Sequence, residues 1–473
     1  MRSLFTPIAT DNLQELNKMT IFNKLNQSDG SKTKSHKRLG QFIFSMAIAS
    51  GASNINSAAL AGGFSITEQS VKNLGNAAAG GAALAEDAST VFYNPAGLTR
   101  LSGNSFQGAG YVIFSDINFQ NLGSTTATGN PLSGGDSAEA GVNSFIPNLY
   151  GSYSVSDRIK LGIGITPPFG LATDYGSDWV GRYQAVESTL TTININPSAA
   201  FQLSDNLSVG GGLNFNYADA KLSNNIDFGL IGQLAGLPTQ SQQLDGFAEI
   251  SGDDWSMGYN LGLLYEPTQS TRFGLAYRSA ITHTLEGDAD FTVPDAANVL
   301  TSTGQFTDSD AEAELKLPDS LSLSAYQKLG DRWAIMGDVT WTNWSRFEEL
   351  RIEFDNPAQA DTVEPENWED TVRLGFAVNY FPTNKLTLRT GLAYDPTPIE
   401  DEFRTARIPG SDRYWLSLGS SYQVSNAISL DAAYVHIFSD DTAIDNPTEA
   451  GGNLQGEYDN NADIISLQLS WKF

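Results

Sequence analysis

Along most of this chain, apolar residues alternate one for one with polar or small ones. Ile159, Leu161, Ile163 and Ile165 are separated by Lys160, Gly162 and Gly164. Ile193, Ile195, Ala199, Phe201 and Leu203 alternate with Asn194, Asn196, Ser198 and Gln202, and Leu207, Val209, Leu213, Phe215 and Tyr217 repeat the pattern. It returns at 333–341, 372–380, 386–394, 414–422 and 428–434, and again in Ile465, Leu467, Leu469, Trp471 and Phe473. A period of two predicts β-strands with one apolar face. Arg278, Asp338, Arg373, Arg389, Arg413 and Asp431 occupy the opposite phase. That phase is the solvated surface of a soluble sandwich or the lumen of a membrane barrel; alternation alone fits both.

Short breaks of turn-forming residues lie at 156–157, 204–206, 268–269, 330–331, 382–384 and 425–426. Longer polar stretches lie at 117–142, 167–185, 222–254, 288–311, 349–369, 396–411 and 439–461. Six short turns alternating with seven long loops predict 14 strands. The number is even, as in bacterial single-chain barrels, whose short turns are periplasmic and whose long loops are outside.

No stretch approaches the ~20 apolar residues of a membrane-spanning helix. A membrane location therefore requires a closed barrel, in which every backbone group is paired. Residues 32–52 have the order of an export signal: Lys32, Lys34, Lys37 and Arg38, then the apolar run 42–49, then small residues, with cleavage expected after Ala59 or Ala61. The other reading of this run is an ordinary buried helix. The leader ahead of it is long, and a start at Met19 or later would shorten it.

The stretch from Gly62 to Leu101 is rich in Gly and Ala and too poor in large apolar side chains to form a core of its own. It is expected to fold inside the barrel as a plug. The chain thus divides into a leader and signal (1–61), an N-terminal hatch (62–102) and a 14-stranded antiparallel transmembrane β-barrel (103–473) in an all-β fold. The terminal aromatic, Phe473, fits a closing strand of the kind read by barrel-assembly machinery.

Composition narrows the function. With no Cys, a disulfide framework, thiolate metal sites and a Cys nucleophile are excluded. With 27 basic and 54 acidic residues the net charge is −27. Phosphate binding needs a basic patch, so nucleic acid is not an expected partner. No cofactor or metal site is expected. The three histidines are His36, His283 and His436, and no nucleophile motif accompanies them. An outer-membrane phospholipase, which needs a Ser-His pair or similar, is therefore not expected, and the protein is read as a non-enzyme.

Several motifs occur in a fixed order: Glu86-Asp87-Ala88-Ser89, Asn94-Pro95-Ala96-Gly97-Leu98, Pro167-Pro168-Phe169-Gly170, Trp179-Val180-Gly181-Arg182-Tyr183, Asn194-Ile195-Asn196-Pro197-Ser198, Trp341-Thr342-Asn343-Trp344-Ser345 and Asp401-Glu402-Phe403-Arg404. In these the chain resembles the FadL/TodX family of outer-membrane transporters for long-chain fatty acids and aromatic hydrocarbons. The resemblance covers about Gly62 to Phe473. It implies a hatch-plugged barrel and passive inward diffusion of hydrophobic ligands. It further implies that the ligand lands in an outer groove, passes to a pocket beside the hatch and leaves sideways near a kinked strand. The implied location is the Gram-negative outer membrane, and the implied partners are a long-chain fatty acid or other hydrophobic small molecule, outer-membrane lipid and lipopolysaccharide. A monomer is expected. The alternatives are a toluene-type hydrocarbon channel and a general porin.

Candidate ligand-binding residues follow. Phe228, Leu230, Ile231, Leu234 and Leu237 share a helical spacing in the 222–254 loop, and Phe291, Val293 and Leu300 offer an opposite wall. Phe64 and Ile66 lie near the mature N-terminus, where a short segment can occupy the pocket and move. A ligand carboxylate needs a cation, for which Arg278 and Arg373, with Arg389 and Arg413, are inward by phase. The other role for these arginines is a lumen ion pair. Asn94, Pro95 and Ala96 end the plug, as gate or as rigid exit.

Overall fold

The computed structural model describes residues 62–448 and 451–473. The predicted leader and export signal, 1–61, lie outside the described residues.

Fourteen strands close on themselves. In chain order they are β1 Ser105–Asn121, β2 Ser144–Ser154, β3 Ile159–Thr166, β4 Glu187–Ser204, β5 Leu207–Asp227, β6 Asp245–Thr268 and β7 Thr271–Arg278. β8 Ser320–Leu329, β9 Trp333–Thr342, β10 Thr371–Tyr380, β11 Leu386–Asp395, β12 Arg413–Gln423, β13 Ile428–Ser439 and β14 Gly452–Lys472 complete the ring. Each pairs antiparallel with the next, and β1 pairs with β14 from Ser105↔Lys472 to Asn121↔Gly456. No edge is left where first and last strands meet, which is what a sheet in lipid requires. All six predicted short turns join consecutive strands.

The predicted long loops are partly strand. The β5–β6 ladder continues to Asp227↔Asp245, and a strand at Ile281–Thr292 pairs Thr292 with Phe247. These residues fall inside stretches read as loops. Beyond the bilayer neither face of a strand meets lipid, so Ser223, Asn224, Asn225, Asp253 and Asp254 are polar on both faces while the backbone ladder runs on. On β6, Trp255, Met257, Tyr259, Leu261, Leu263 and Tyr265 stay exposed on the outer face while Asn260 and Leu264 are buried inside.

Residues 62–101 occupy the lumen. They form short helices α1 Val71–Leu74, α2 Gly81–Leu84 and α3 Thr90–Tyr93, then a 3-10 turn Pro95–Arg100. Ser70 caps α1. The Asn94 side chain caps the 3-10 turn by accepting from Ala96 N–H, while its amide donates to the carbonyls of Ala82 (2.7 Å) and Leu263 (3.0 Å). The hatch is tied to the wall by charge. Arg389 donates to Glu86 (2.8 Å), Arg278 to the Phe92 carbonyl (2.9 Å), and Arg373 to that of Ala77, while Lys72 sits 3.5 Å from Asp87 within the hatch itself.

The wall makes room for this plug where it lacks side chains. A Cβ at Gly391 would strike the backbone of Asn76 and Ala77. Gly391→Val is therefore expected to unseat the hatch, at a cost of about 1–3 kcal/mol for an overpacked site. The variant should keep its barrel and show larger conductance steps in planar bilayers than the unaltered protein. Equal conductance would mean that the hatch tolerates the added volume.

Candidate functional site

Three cavities follow one another from the loops into the barrel. The outermost, about 1070 Å³, lies between the extracellular loops and is lined by Leu230, Ile231, Leu234, Phe291, Phe306 and Phe403, among others. Helix α4, Phe228–Leu234, supplies one side. Asp227 caps it by accepting from Leu230 N–H at 2.9 Å. Leu234 is 75% exposed and stands over the groove in water. Phe228 is fully buried beneath, its ring 5.0 Å from that of Phe306, and supports the groove without lining it. Phe291 lines the opposite side; Val293 and Leu300 do not.

The second cavity, about 90 Å³, is apolar, with Leu171, Leu190, Leu285, Leu315 and Ile408 in its walls. It shares Leu222, Ile250, Leu350, Ile352 and Arg407 with the outer groove, so the two are continuous. Its floor is Phe64. That ring sits in a cage of Phe169, Trp344, Phe347 and Trp368, with centroids 6.0, 4.9, 5.6 and 5.5 Å away. The cage explains Gly63, whose φ is +65° and where any Cβ would strike Trp344 and Trp368. The Gly62 N–H donates to Asp395 (2.9 Å), anchoring this end of the segment.

Below the stopper lies the third cavity, about 150 Å³, lined by Ile66, Phe92, Pro95, Arg278, Asp338 and Arg373 among others. Arg278 stacks on the Phe92 ring at 4.1 Å, and Arg373 lies 3.8 Å from Asp338. The structure thus places Arg278 and Arg373 under the stopper, each holding a hatch carbonyl. Arg389 is spent on Glu86, and Arg413 is buried beside Gly410. Asn94 and Ala96 are fully buried at the base of the plug, away from the outer groove.

The barrel wall is interrupted beside this floor. After Thr166, Pro167-Pro168-Phe169 breaks β3, and the chain resumes at Gly170–Asp174. Thr166 pairs with Asn194 and Gly170 with Thr191, so one extra residue is inserted against β4. The β2–β3 ladder stops at Leu149↔Ile165. Among the described residues, 145–148 of β2 then pair in a ladder only with β1, leaving a gap that closes again at the Gly141–Thr173 bridge.

Hatch residues 64–69 fill the gap from inside and hold both lips. On the kink side, Ile66 N–H donates to Pro168 (2.9 Å), Gly170 N–H to Phe64 (2.9 Å), and the Gln69 amide to Pro167 (2.8 Å). On the β2 side, the Asn148 amide donates to the Glu68 carbonyl (2.7 Å) and the Tyr150 hydroxyl to that of Gln69 (2.8 Å). The segment that carries the stopper is therefore also the latch of the wall.

Sequence reading missed one cation. Arg407 lines both the outer groove and the apolar cavity. It donates to Ser188 Oγ at 3.1 Å, and its other contacts are longer: Ser223 O at 3.4 Å, Asn224 Oδ1 at 3.5 Å and Glu364 at 3.5 Å. It belongs to the 396–411 loop, where no periodicity marks a face. The cage residues Trp344 and Trp368 were equally hidden, although Trp344 lies in one of the recurring motifs. The two described histidines face carboxylates and amides. His283 contacts Asp254 and Asn216 (both 2.9 Å), and His436 contacts Asp463 (2.8 Å).

Comparison with known proteins agrees with this geometry. Residues 52–473 match the family described as outer membrane protein transport protein (OMPP1/FadL/TodX). An outer membrane protein of Neisseria meningitidis serogroup B is 33% identical over 444 residues, covering 87% of this chain and 95% of its own. The long-chain fatty acid transport protein of Escherichia coli K12 is 30% identical over 418 residues, covering 82% and 91%. Among solved structures, a Pseudomonas aeruginosa FadL homologue superposes with a TM-score of 0.82 at 26% identity, over 87% of this chain and all of that one. The Pseudomonas putida toluene transporter TodX, at 18% identity and a TM-score of 0.63 over 82% of this chain and 94% of its own, shares the fold.

Proposed function

The chain belongs to the OmpP1/FadL/TodX family of outer-membrane transporters of hydrophobic compounds, and from that premise we propose that it takes up long-chain fatty acids by passive diffusion. The observation that carries fatty acids over hydrocarbons is Arg407, a cation at the mouth of an apolar cavity whose carboxylate partner, Glu364, stands 3.5 Å away. A carboxylate head can replace Glu364 there while the acyl chain enters the cavity.

The chain end then meets Phe64. Each methylene removed from water contributes about 0.8 kcal/mol, and burying a Phe side chain about 1.5–3 kcal/mol. Two to four methylenes in the cage thus offset expulsion of the ring. Withdrawal of residues 64–69 releases both lips of the wall, and the ligand leaves sideways between β2 and the kink. Phe64 and Ile66 act as stopper and latch, Leu230, Leu234 and Phe291 as landing surface, and Phe228 as its support. Arg278 and Arg373 hold the hatch in register, and Asn94-Pro95-Ala96 fix its exit into β1.

The test is ligand titration of the purified barrel with oleate and with toluene. Arg407→Gln is expected to weaken oleate about tenfold, the scale of one charged hydrogen bond, and to leave toluene unchanged. Saturable toluene binding without oleate preference would assign the protein to hydrocarbons instead. Large open conductance without saturable binding would assign it to the porins.

A further inference from the structure

Resting on the fatty-acid reading above, we infer that Glu366 is a second specificity determinant, whose carboxyl donates its O–H to the ligand carboxylate while Arg407 supplies the opposing charge. Glu366 follows the strand Thr362–Pro365 and lines the same apolar cavity as Arg407. It is 2% exposed. Its position is fixed from two sides. Its own N–H and that of Asn367 both donate to the Glu348 carbonyl (2.9 and 2.8 Å), and one carboxyl oxygen accepts from Trp368 Nε1 (2.8 Å). Trp368 is in turn a wall of the Phe64 cage. The Trp368 bond is the side chain's one hydrogen bond among the described residues. One oxygen is thus left for a ligand in a cavity whose other walls are largely aliphatic.

A carboxyl so placed keeps its proton. Burial pushes Glu366 well above the usual carboxylate range, and the nearby Glu364 adds to this against the Trp368 N–H and Arg407. The other carboxylates lining the cavity, Glu312 and Glu314, are exposed on their strand. A protonated carboxyl is a donor, and an O–H bond to a carboxylate is among the shorter and stronger hydrogen bonds available to proteins. Arg407 alone attracts any anion. Arg407 with a neutral carboxyl beside it fits the two oxygens of one carboxylate, and a hydrocarbon gains nothing from either. The pairing also has a sign in pH. When Glu366 ionises at high pH it loses its donor and repels the ligand, so carboxylate binding weakens as pH rises. The same raised value makes its contribution to folding fall with rising pH, because the unfolded chain ionises first.

The experiment compares dodecanoate with dodecanol as ligands of the full chain, using Glu366→Leu and Glu366→Gln. Glu366→Leu is expected to weaken dodecanoate about tenfold and dodecanol less than twofold. Glu366→Gln keeps an N–H donor and an acceptor for Trp368. It should retain dodecanoate binding and flatten the fall in affinity that the unaltered protein shows as pH rises above the ordinary carboxylate range. Equal losses for both ligands in Glu366→Leu would show a packing role and overturn the inference. So would dodecanoate binding indifferent to both substitutions. If the unaltered protein binds dodecanol and not dodecanoate, the fatty-acid reading itself falls, a result distinguishable because it precedes any variant.

Discussion

Replacing Phe64 by Ala is expected to release the N-terminal segment and leave the apolar and inner cavities continuous. A Phe→Ala change in a packed site costs about 3–5 kcal/mol, and here the loss falls on a segment held otherwise by a few hydrogen bonds and the Gly62–Asp395 contact. The amides of Ile66 and Gly170, which close the latch, should exchange with solvent at least a hundredfold faster, since each 1.36 kcal/mol is tenfold. Ligand affinity should rise, because no ring has to be expelled first. Unchanged protection at Ile66 and Gly170 would show that the latch stands without its stopper, and the coupling of cage to wall would be wrong.

Arg389→Leu is expected to have an effect of similar size on the other end of the hatch. The guanidinium is 3% exposed and pairs with Glu86, itself 24% exposed. Removing one partner of a buried pair costs about 3–5 kcal/mol, and the partial exposure of Glu86 lowers this to about 2–3 kcal/mol by screening. The hatch should then fluctuate, read as frequent conductance bursts that the unaltered protein lacks. Adding Glu86→Gln removes the stranded charge and should restore much of the quiet baseline. If the double variant is as noisy as the single one, Arg389 acts through packing on Gly75 and Gly419 and not through the pair.

The barrel was legible because lipid and lumen impose opposite demands on alternate residues. Leu374 and Phe376 had to be apolar and Arg373 could not be. The turns were legible for a related reason, since Pro382-Thr383-Asn384 offers little else. Where the environment stops alternating, so did the signal. Residues 222–227 and 245–254 read as loop and are strand. The alternation read through 193–203 is one continuous strand, β4, although Pro197 inside it has no N–H for the ladder. Leu213, the residue opposite Pro197, has its carbonyl satisfied by the Asn196 side-chain amide at 2.8 Å.

The site was legible only in part. Phe64 and Ile66 stand out because large apolar residues are rare in the hatch. Arg407, Trp344 and the Glu366–Trp368 pair come from separate parts of the chain, and only the closed ring brings them together. The inward arginines are where their phase put them, but phase says nothing about height in the barrel. Arg278 and Arg373 lie under the stopper for that reason.

The interrupted ladder beside β2 has a consequence for crowded membranes. A barrel normally offers its neighbours no free strand, and residues 145–148 are an exception on this one. Exposed edges invite a second sheet to add on. Pro147 stands midway along this edge and has no N–H to give. The inner side is already covered by the hatch backbone, through Asn148 and Tyr150. A neighbouring barrel arriving at this seam would find too few free groups to continue its own sheet. On the proposed sideways route, the wall would open to lipid without becoming a template for edge-to-edge association.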